Sequence, residues 1–153
     1  MRHVAITLVM LLAATVPAAA QAQNADEARR LMVNLFTQGN AVTLMNQRGE
    51  PGEADYWEMH RTVTGVSELR PCFMRLQAPQ VLSKSPASLN PVAYYGIEWA
   101  SVRNVTTFEG APFVFFQAGH MAENETGAFV LPDLETTWEL EAAMKVVARA
   151  CQR

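Results

Sequence analysis

The stretch from Tyr94 to Gln117 constrains the fold of this chain more than any other. It reads YYGIEWASVRNVTTFEGAPFVFFQ, so β-branched and aromatic residues lie on both sides of a Gly and a Pro. This composition predicts two strands joined as a hairpin across residues 109–112, at the centre of a sheet. The run from Phe113 to Phe116 is apolar on both of its alternating faces. Each face therefore needs a cover that excludes water.

The N-terminus is predicted to be a secretory signal peptide. Arg2 precedes an apolar run from Val4 to Val16, and small residues then offer cleavage sites after Ala20 or Ala22. A basic start, a short apolar segment and A-x-A sites are typical of an export signal. The alternative is a buried N-terminal helix. The apolar run is shorter than the about 20 residues that cross a bilayer, so we expect no transmembrane segment in the mature form.

Cleavage at this site would leave residues 23–153 as a single domain in the periplasm or outside the cell. The chain without its signal peptide, residues 1–22, is long enough to bury one core. Loss of Arg2 leaves eleven Lys and Arg against fifteen Asp and Glu, a formal charge of −4. This balance and the scatter of the basic residues argue against nucleic acid as a partner.

Both cysteines of the chain, Cys72 and Cys151, are predicted to join in a disulfide bond. Export would place them in an oxidising compartment, where two thiols can pair in only one way. A redox-active or metal-binding pair is the alternative, and the lack of a C-x-x-C motif argues against it. Each cysteine lies in an apolar row of its segment, so the bridge would join a C-terminal helix to a strand.

Two helices are predicted, one towards each end of the mature chain. The first runs from about Asp26 to Gln38, with Asn24 as its N-cap and a possible second piece as far as Met45. The second begins after Asp133 with a capping box that starts at Thr136. Its apolar stripe consists of Leu140, Ala143, Met144, Val147 and Cys151.

Alternating apolar and polar residues predict further strands between Tyr56 and Val66 and between Cys72 and Ala78. Residues 128–131 could add a short edge strand. The Ser-Pro and Asn-Pro steps from Pro79 to Pro91 indicate a long connection. A shift of the apolar phase after Trp99 indicates a bulge or bend in the first arm of the hairpin. The order of elements predicts an α+β domain, an antiparallel sheet of four to five strands with an N-terminal and a C-terminal helix packed on it.

The aromatic residues of the hairpin are the main candidates for a ligand site. In this interpretation aromatic walls surround a few polar groups. The alternative is that these side chains simply form the core. The candidate ligand-binding residues are Tyr95, Glu98, Trp99, Arg103 and Phe115.

No segment matches a common catalytic or phosphate-binding motif. His60 and His120 each have a carboxylate nearby in sequence, but two ligands do not define a metal site. We therefore expect a small exported, non-catalytic binding or interaction module without a cofactor, whose partner is an unknown protein or small molecule. The alternative is a small α+β enzyme in which a residue such as Glu98 acts as an acid or base inside an aromatic pocket.

Overall fold

A computed structural model of the chain describes residues 18–39, 41–83 and 94–153. Within these residues the chain forms two helices, nine strands and one turn of 3-10 helix. In chain order they are α1 (Ala18–Thr37), β1 (Thr43–Arg48), β2 (Trp57–Thr62), β3 (Gly65–Arg70), β4 (Phe73–Gln77), β5 (Gln80–Ser83), β6 (Tyr94–Glu98), the 3-10 turn (Trp99–Ser101), β7 (Arg103–Thr107), β8 (Phe113–Gln117), β9 (Glu125–Val130) and α2 (Leu134–Cys151).

The strands form two antiparallel sheets. The larger sheet has the order β5-β2-β1-β9-β8-β7, and the smaller sheet has the order β3-β4-β6. The predicted α+β class, with a helix towards each end of the mature chain, is confirmed. The strands are more numerous than the four to five expected, and they form two sheets because the chain changes sheet at Val63 and Thr64. There Val63 donates its N–H to the carbonyl of Val42, just before β1 of the larger sheet, and Thr64 donates its N–H to Gln77 in β4 of the smaller sheet.

The predicted hairpin exists between β7 and β8, and its turn covers residues 108–112. It lies at one edge of the larger sheet, so the expectation that it forms the centre is wrong. The bend predicted after Trp99 is the 3-10 turn, which connects β6 of the smaller sheet to β7 of the larger sheet. The Trp99 side chain is fully buried, so the turn serves to bring that ring into the core.

Strand β9 occupies the position that the hairpin was expected to take. It pairs with β1 on one side and with β8 on the other, so the expectation of an edge strand at residues 128–131 is wrong. Gly127 explains part of this central position. A Cβ atom at Gly127 would lie 2.6 Å from Cζ of Phe116, so only glycine allows that ring to lie against the strand.

Within the described residues helix α1 extends back to Ala18, inside the segment predicted to be removed, and the alanine-rich sequence there favours helix. Asn24 therefore lies inside the helix of the full chain and does not cap it. The helix ends at Thr37, and Gly39 follows with φ +76°, a conformation that glycine adopts without strain. The expected second helical piece as far as Met45 is wrong, because this segment pairs along β1 as a strand.

Two predictions fall wholly or partly outside the described residues. The first is the apolar run from Val4 to Val16 of the signal peptide. The second is the part of the Pro79–Pro91 connection that follows residue 83. The described start of that connection forms β5, which pairs with β2.

Helix α2 buries the predicted stripe of Leu140, Ala143, Met144 and Val147. Its N-cap is Asp133, whose side chain accepts a hydrogen bond from the Thr136 backbone N–H at 2.8 Å. The capping box expected to start at Thr136 is therefore wrong, since this residue already lies in the first turn.

The predicted disulfide bond between Cys72 and Cys151 is confirmed, with Cα atoms 5.6 Å apart. It joins the last residue of α2 to the turn that precedes β4. No helix in the described part of the chain combines the length and the apolar character needed to cross a bilayer.

One continuous core lies on a single face of the larger sheet, which we call the inner face. Its fully buried side chains include Leu44, Val114, Phe116 and Phe129. They pack with apolar residues from both helices, such as Met32 of α1 and Met144 of α2, and with inward side chains of the smaller sheet. The helices and the smaller sheet therefore seal the inner face and leave the opposite face of the larger sheet without either cover.

Candidate functional site

The opposite, outer face of the larger sheet carries the residues that alternate with the core. Met45 and Phe115 both lie opposite Ala128 in the strand pairing, and Gln47 lies opposite Thr126. Side chains of paired residues project from the same face of a sheet. Strands β1, β9 and β8 thus present one continuous surface of mixed apolar and polar groups.

An open groove of about 600 Å³ lies on this outer face. Side chains of β1, β8 and β9 form its base, and side chains of β7 form one wall. The turn from Gly49 to Glu53 closes one end, and Asn124 adds to the rim. The volume falls within the roughly 300–1,000 Å³ that is usual for small-molecule sites.

Two phenylalanines supply the main apolar surface of the groove. The Phe108 ring contacts the Phe115 ring edge to face, with centroids 5.1 Å apart and an angle of 72° between the rings. The Phe113 ring continues the row, with its centroid 5.9 Å from that of Phe115. Phe108 remains 62% exposed although it is a large apolar residue. The aromatic surface is therefore accessible from solvent.

Hydrogen bonds fix several side-chain amides in and around the groove. Asn104 donates its amide N–H to Oε1 of Gln117 at 2.7 Å. Gln47 donates to the Gly49 carbonyl at 3.1 Å, and Asn124 donates to Asp55 at 3.4 Å. Each bond uses only part of the hydrogen-bonding capacity of an amide side chain, so further donors or acceptors remain for a ligand.

The charged residues of the groove are confined to the turn at its end. Glu50 and Glu53 line it there, and both are exposed. The Glu53 carboxylate accepts a hydrogen bond from the Glu50 backbone N–H at 2.8 Å, which closes the turn. Among the described lining residues there is no Lys, Arg or His.

A second polar cluster lies on the outer face of β2, next to β1. Glu58 accepts hydrogen bonds from the Tyr56 hydroxyl and, on its other oxygen, contacts the His60 imidazole. The hydrogen bond to the Glu58 carboxylate raises the pKa of the Tyr56 phenol. In the pairing of β2 with β1, His60 lies opposite Met45 and Glu58 lies opposite Gln47 of the groove base. This cluster therefore borders the groove.

The structure does not bring the five predicted ligand-binding residues together. Phe115 lies in the groove, whereas Trp99 is fully buried in the core. Glu98 and Arg103 are exposed, and neither lines the groove. Tyr95 lies beneath the inner face, on the other side of the larger sheet from the groove.

Tyr95 has a structural position between the two sheets. Its hydroxyl accepts a hydrogen bond from the amide of buried Asn46 at 3.2 Å and lies 3.0 Å from Nε2 of His120. Burial raises the pKa of the Tyr95 phenol well above its usual range. The phenol stays protonated at neutral pH and can donate to His120, so it serves as a bridge in a hydrogen-bonded chain.

Sequence reasoning missed the polar residues of the groove. Gln47, Asn104, Gln117 and Thr126 come from four different strands, and only the strand pairing places them side by side. Reading β1 as a strand would have put Met45 and Gln47 on one face. Within the described ranges, no three His, Cys, Asp or Glu side chains come together as a metal site would require.

No protein-family model matches this chain, and no curated protein is similar to it in sequence.

Proposed function

We propose that this protein is a small exported binding module that holds its ligand in the groove on the outer face of the larger sheet. The observation that carries the proposal is the groove itself, where the exposed Phe108 ring, the partly buried Phe115 ring and hydrogen-bonded amides converge over about 600 Å³. Pockets with apolar walls and a few fixed polar groups are the usual form of a ligand site.

The setting of the groove supports binding. Its base consists of strands in the interior of a six-stranded sheet, whose other face is packed against the core. A site on such strands keeps its geometry before the ligand arrives, which lowers the entropy cost of binding.

Export is supported by the N-terminal sequence and by the disulfide bond between Cys72 and Cys151. Disulfide bonds persist in the periplasm and outside the cell, because the reducing systems of the cytosol are absent there. We place the mature protein in one of these compartments.

The alternative proposal is a small enzyme with an acid or base in an aromatic pocket. The residue chosen for that role, Glu98, is exposed and does not line the groove. His120 is exposed and bonds to a phenol that stays protonated. Binding without catalysis is therefore the better supported of the two proposals.

The binding proposal is tested by screening a fragment library against the exported protein with ligand-observed NMR. The wild type is compared with Phe108→Ala and with Trp138→Ala, a control that removes an aromatic residue of similar exposure, 59%, from α2. We expect at least one class of compounds whose signal is lost in the Phe108 variant and retained in the Trp138 variant. A screen in which both variants behave as the wild type does would contradict the proposal.

Export is tested by N-terminal sequencing of the protein recovered from the periplasm or the medium. We expect the mature chain to begin at Gln21 or Gln23. Recovery of exported protein that still begins with Met1 would show that the signal peptide is wrongly assigned.

A further inference from the structure

We infer that the ligand of the outer-face groove is a neutral oligosaccharide, a short chain of uncharged rings that carry hydroxyl groups. This inference rests on the proposed function and specifies the chemical class of its ligand. It follows from the charge of the groove, its hydrogen-bonding groups, its aromatic surface and the lack of a regular free sheet edge beside it among the described strands.

The charge of the groove excludes an anionic ligand. Among the described lining residues none is basic, and the only charges are those of Glu50 and Glu53. A phosphate or carboxylate would find no cation to pair with and would be repelled by these two side chains. Both glutamates are exposed to water, where an ion pair contributes little free energy. They would therefore bind a cation only weakly. An uncharged ligand fits this lining best.

The polar groups of the groove match hydroxyl groups. An amide or a hydroxyl side chain offers both a donor and an acceptor, as each hydroxyl of a sugar does. The bond between Asn104 and Gln117 leaves Oδ1 of Asn104 and the amide NH₂ of Gln117 available. Across the base, the bond from Gln47 to Gly49 leaves Oε1 of Gln47 available. Both donors and acceptors are thus present in the groove, on side chains that the protein's own hydrogen bonds hold in position.

The aromatic surface matches the apolar face of a sugar ring. One side of a pyranose carries several C–H groups, and this side packs on an aromatic ring while the hydroxyl groups point outwards. Phe108 is held against Phe115 and is largely exposed. A large apolar side chain in this position indicates a contact surface, because water is a poor neighbour for it.

The backbone around the groove disfavours an extended peptide, the main alternative with neutral polar groups. Peptides commonly bind by adding a strand to a free sheet edge. The groove instead crosses the strands from β1 to β7, over three intervals that span about 14 Å. The interior strands already pair with neighbours on both sides.

The one nearby edge, β7, is also unsuited to strand addition. Its register shifts between Arg103 and Thr106, and Asn104 has φ +53°. Such a bulge twists the edge and interrupts the row of backbone groups that an added strand would need. Recognition in the groove therefore depends on side chains, which suits a ligand with hydroxyl groups distributed around its rings.

The inference is tested on the exported protein with a glycan array that carries neutral and acidic oligosaccharides, followed by titration calorimetry with the hits. Maltotriose, cellotriose and chitotriose are the neutral probes in solution, trigalacturonate is the acidic probe, and acetylated, amidated tetra-alanine is the neutral peptide probe. The variants are Phe108→Ala and Gln117→Ala, with Trp138→Ala as the matched control.

We expect binding of at least one neutral oligosaccharide, weakened at least about tenfold in the Phe108 and Gln117 variants and unchanged in the Trp138 variant. Thermal unfolding of each variant shows that the loss is not due to misfolding, which is not expected at the exposed Phe108. Binding confined to acidic glycans, or to the peptide, with the same dependence on Phe108 would overturn the ligand class and leave the groove as a binding site. If no glycan, peptide or library fragment shows binding that depends on Phe108, both the ligand class and the proposed function are wrong.

Discussion

The inner and outer faces of β8 are built from nearly the same kinds of residue and have different environments. Val114 and Phe116 on the inner face are completely buried, whereas Phe113 and Phe115 on the outer face are only half-buried. Alternation along the strand separates the two pairs. Their environments differ because the helices and the smaller sheet cover only one face.

This difference teaches that an apolar strand does not by itself indicate a strand buried on both sides. The inner aromatic rings pack against other apolar groups. Phe116, for example, stacks on Phe129 with 5.3 Å between the ring centroids. The outer rings pack against one another and border polar amides. A face of the second kind keeps apolar surface available for a ligand.

The largest expected effect is that of removing an inner ring. Phe116→Ala should lower the free energy of unfolding by about 3–5 kcal/mol, because it leaves a cavity in a packed core. Phe115→Ala should cost less, about 1–2 kcal/mol, because that side chain is only partly buried. Urea denaturation of the two variants measures the difference.

Substitution of Val114 and Phe113 completes the test of the two faces. Val114→Ala should destabilise the protein although valine is a small side chain, because Val114 is completely buried. Phe113→Ala removes a larger side chain but should be tolerated, because Phe113 is only partly buried. Severe and equal losses at all four positions would mean that the outer face is also core, and the binding site would lose its support.

The next effect concerns the bridge that holds α2, part of the cover of the inner face. Cys151→Ala should lower stability by about 2–4 kcal/mol, since the bond to Cys72 closes a long loop in the unfolded chain. The same loss should appear in the wild type under reducing conditions. Non-reducing peptide mapping should recover the two cysteines as one linked pair, and free thiols in the exported protein would contradict the assignment.

A smaller effect is expected where the inner face meets the smaller sheet. Tyr95→Phe should cost about 1–3 kcal/mol, because the amide of buried Asn46 loses the acceptor that the phenol provides. Since burial raises the Tyr95 pKa, its protonated form favours the folded state. The wild type should therefore lose stability as pH rises above about 10, and Tyr95→Phe should show less of this loss, to which the Tyr56 phenol, whose pKa is also raised, still contributes. Denaturation at several alkaline pH values tests both statements.

The smallest effect is expected at the N-terminus of α2. The backbone N–H of Thr136 donates to the Asp133 carboxylate and lowers its pKa, so the ionised form favours the folded state. Asp133→Ala should reduce stability at neutral pH, and the difference from the wild type should shrink as pH falls below about 4. Asp133→Asn, which can still cap the helix, is the control. A difference that stays constant down to pH 2 would contradict this role.

The sequence predicted the elements whose pattern is local. The apolar stripe of the 18-residue helix α2 repeats every three or four residues, and the β7–β8 hairpin has turn residues between two arms rich in β-branched and aromatic residues. The disulfide followed from simple counting of cysteines. Each of these conclusions depends on residues close together in the chain or on the number of a residue type.

The strands that were misread carry weak local signals. Thr43–Arg48 contains apolar and polar residues in an order that suits either a helix or a strand, and its pairing partners are distant in sequence. Residues 128–130 form part of β9 in the interior of the larger sheet, and Gly127 contributes to that position by admitting the ring of Phe116. Nothing in the neighbouring residues reveals such a contact.

Composition and periodicity alone determined that this protein is an α+β domain with a bridged cysteine pair and a strand that is apolar on both of its faces. Only the tertiary structure decided which face of that strand the helices seal and which remains an open groove. The physical reason is that burial of a face depends on the packing of distant elements, whereas alternation along a strand defines only that two faces exist.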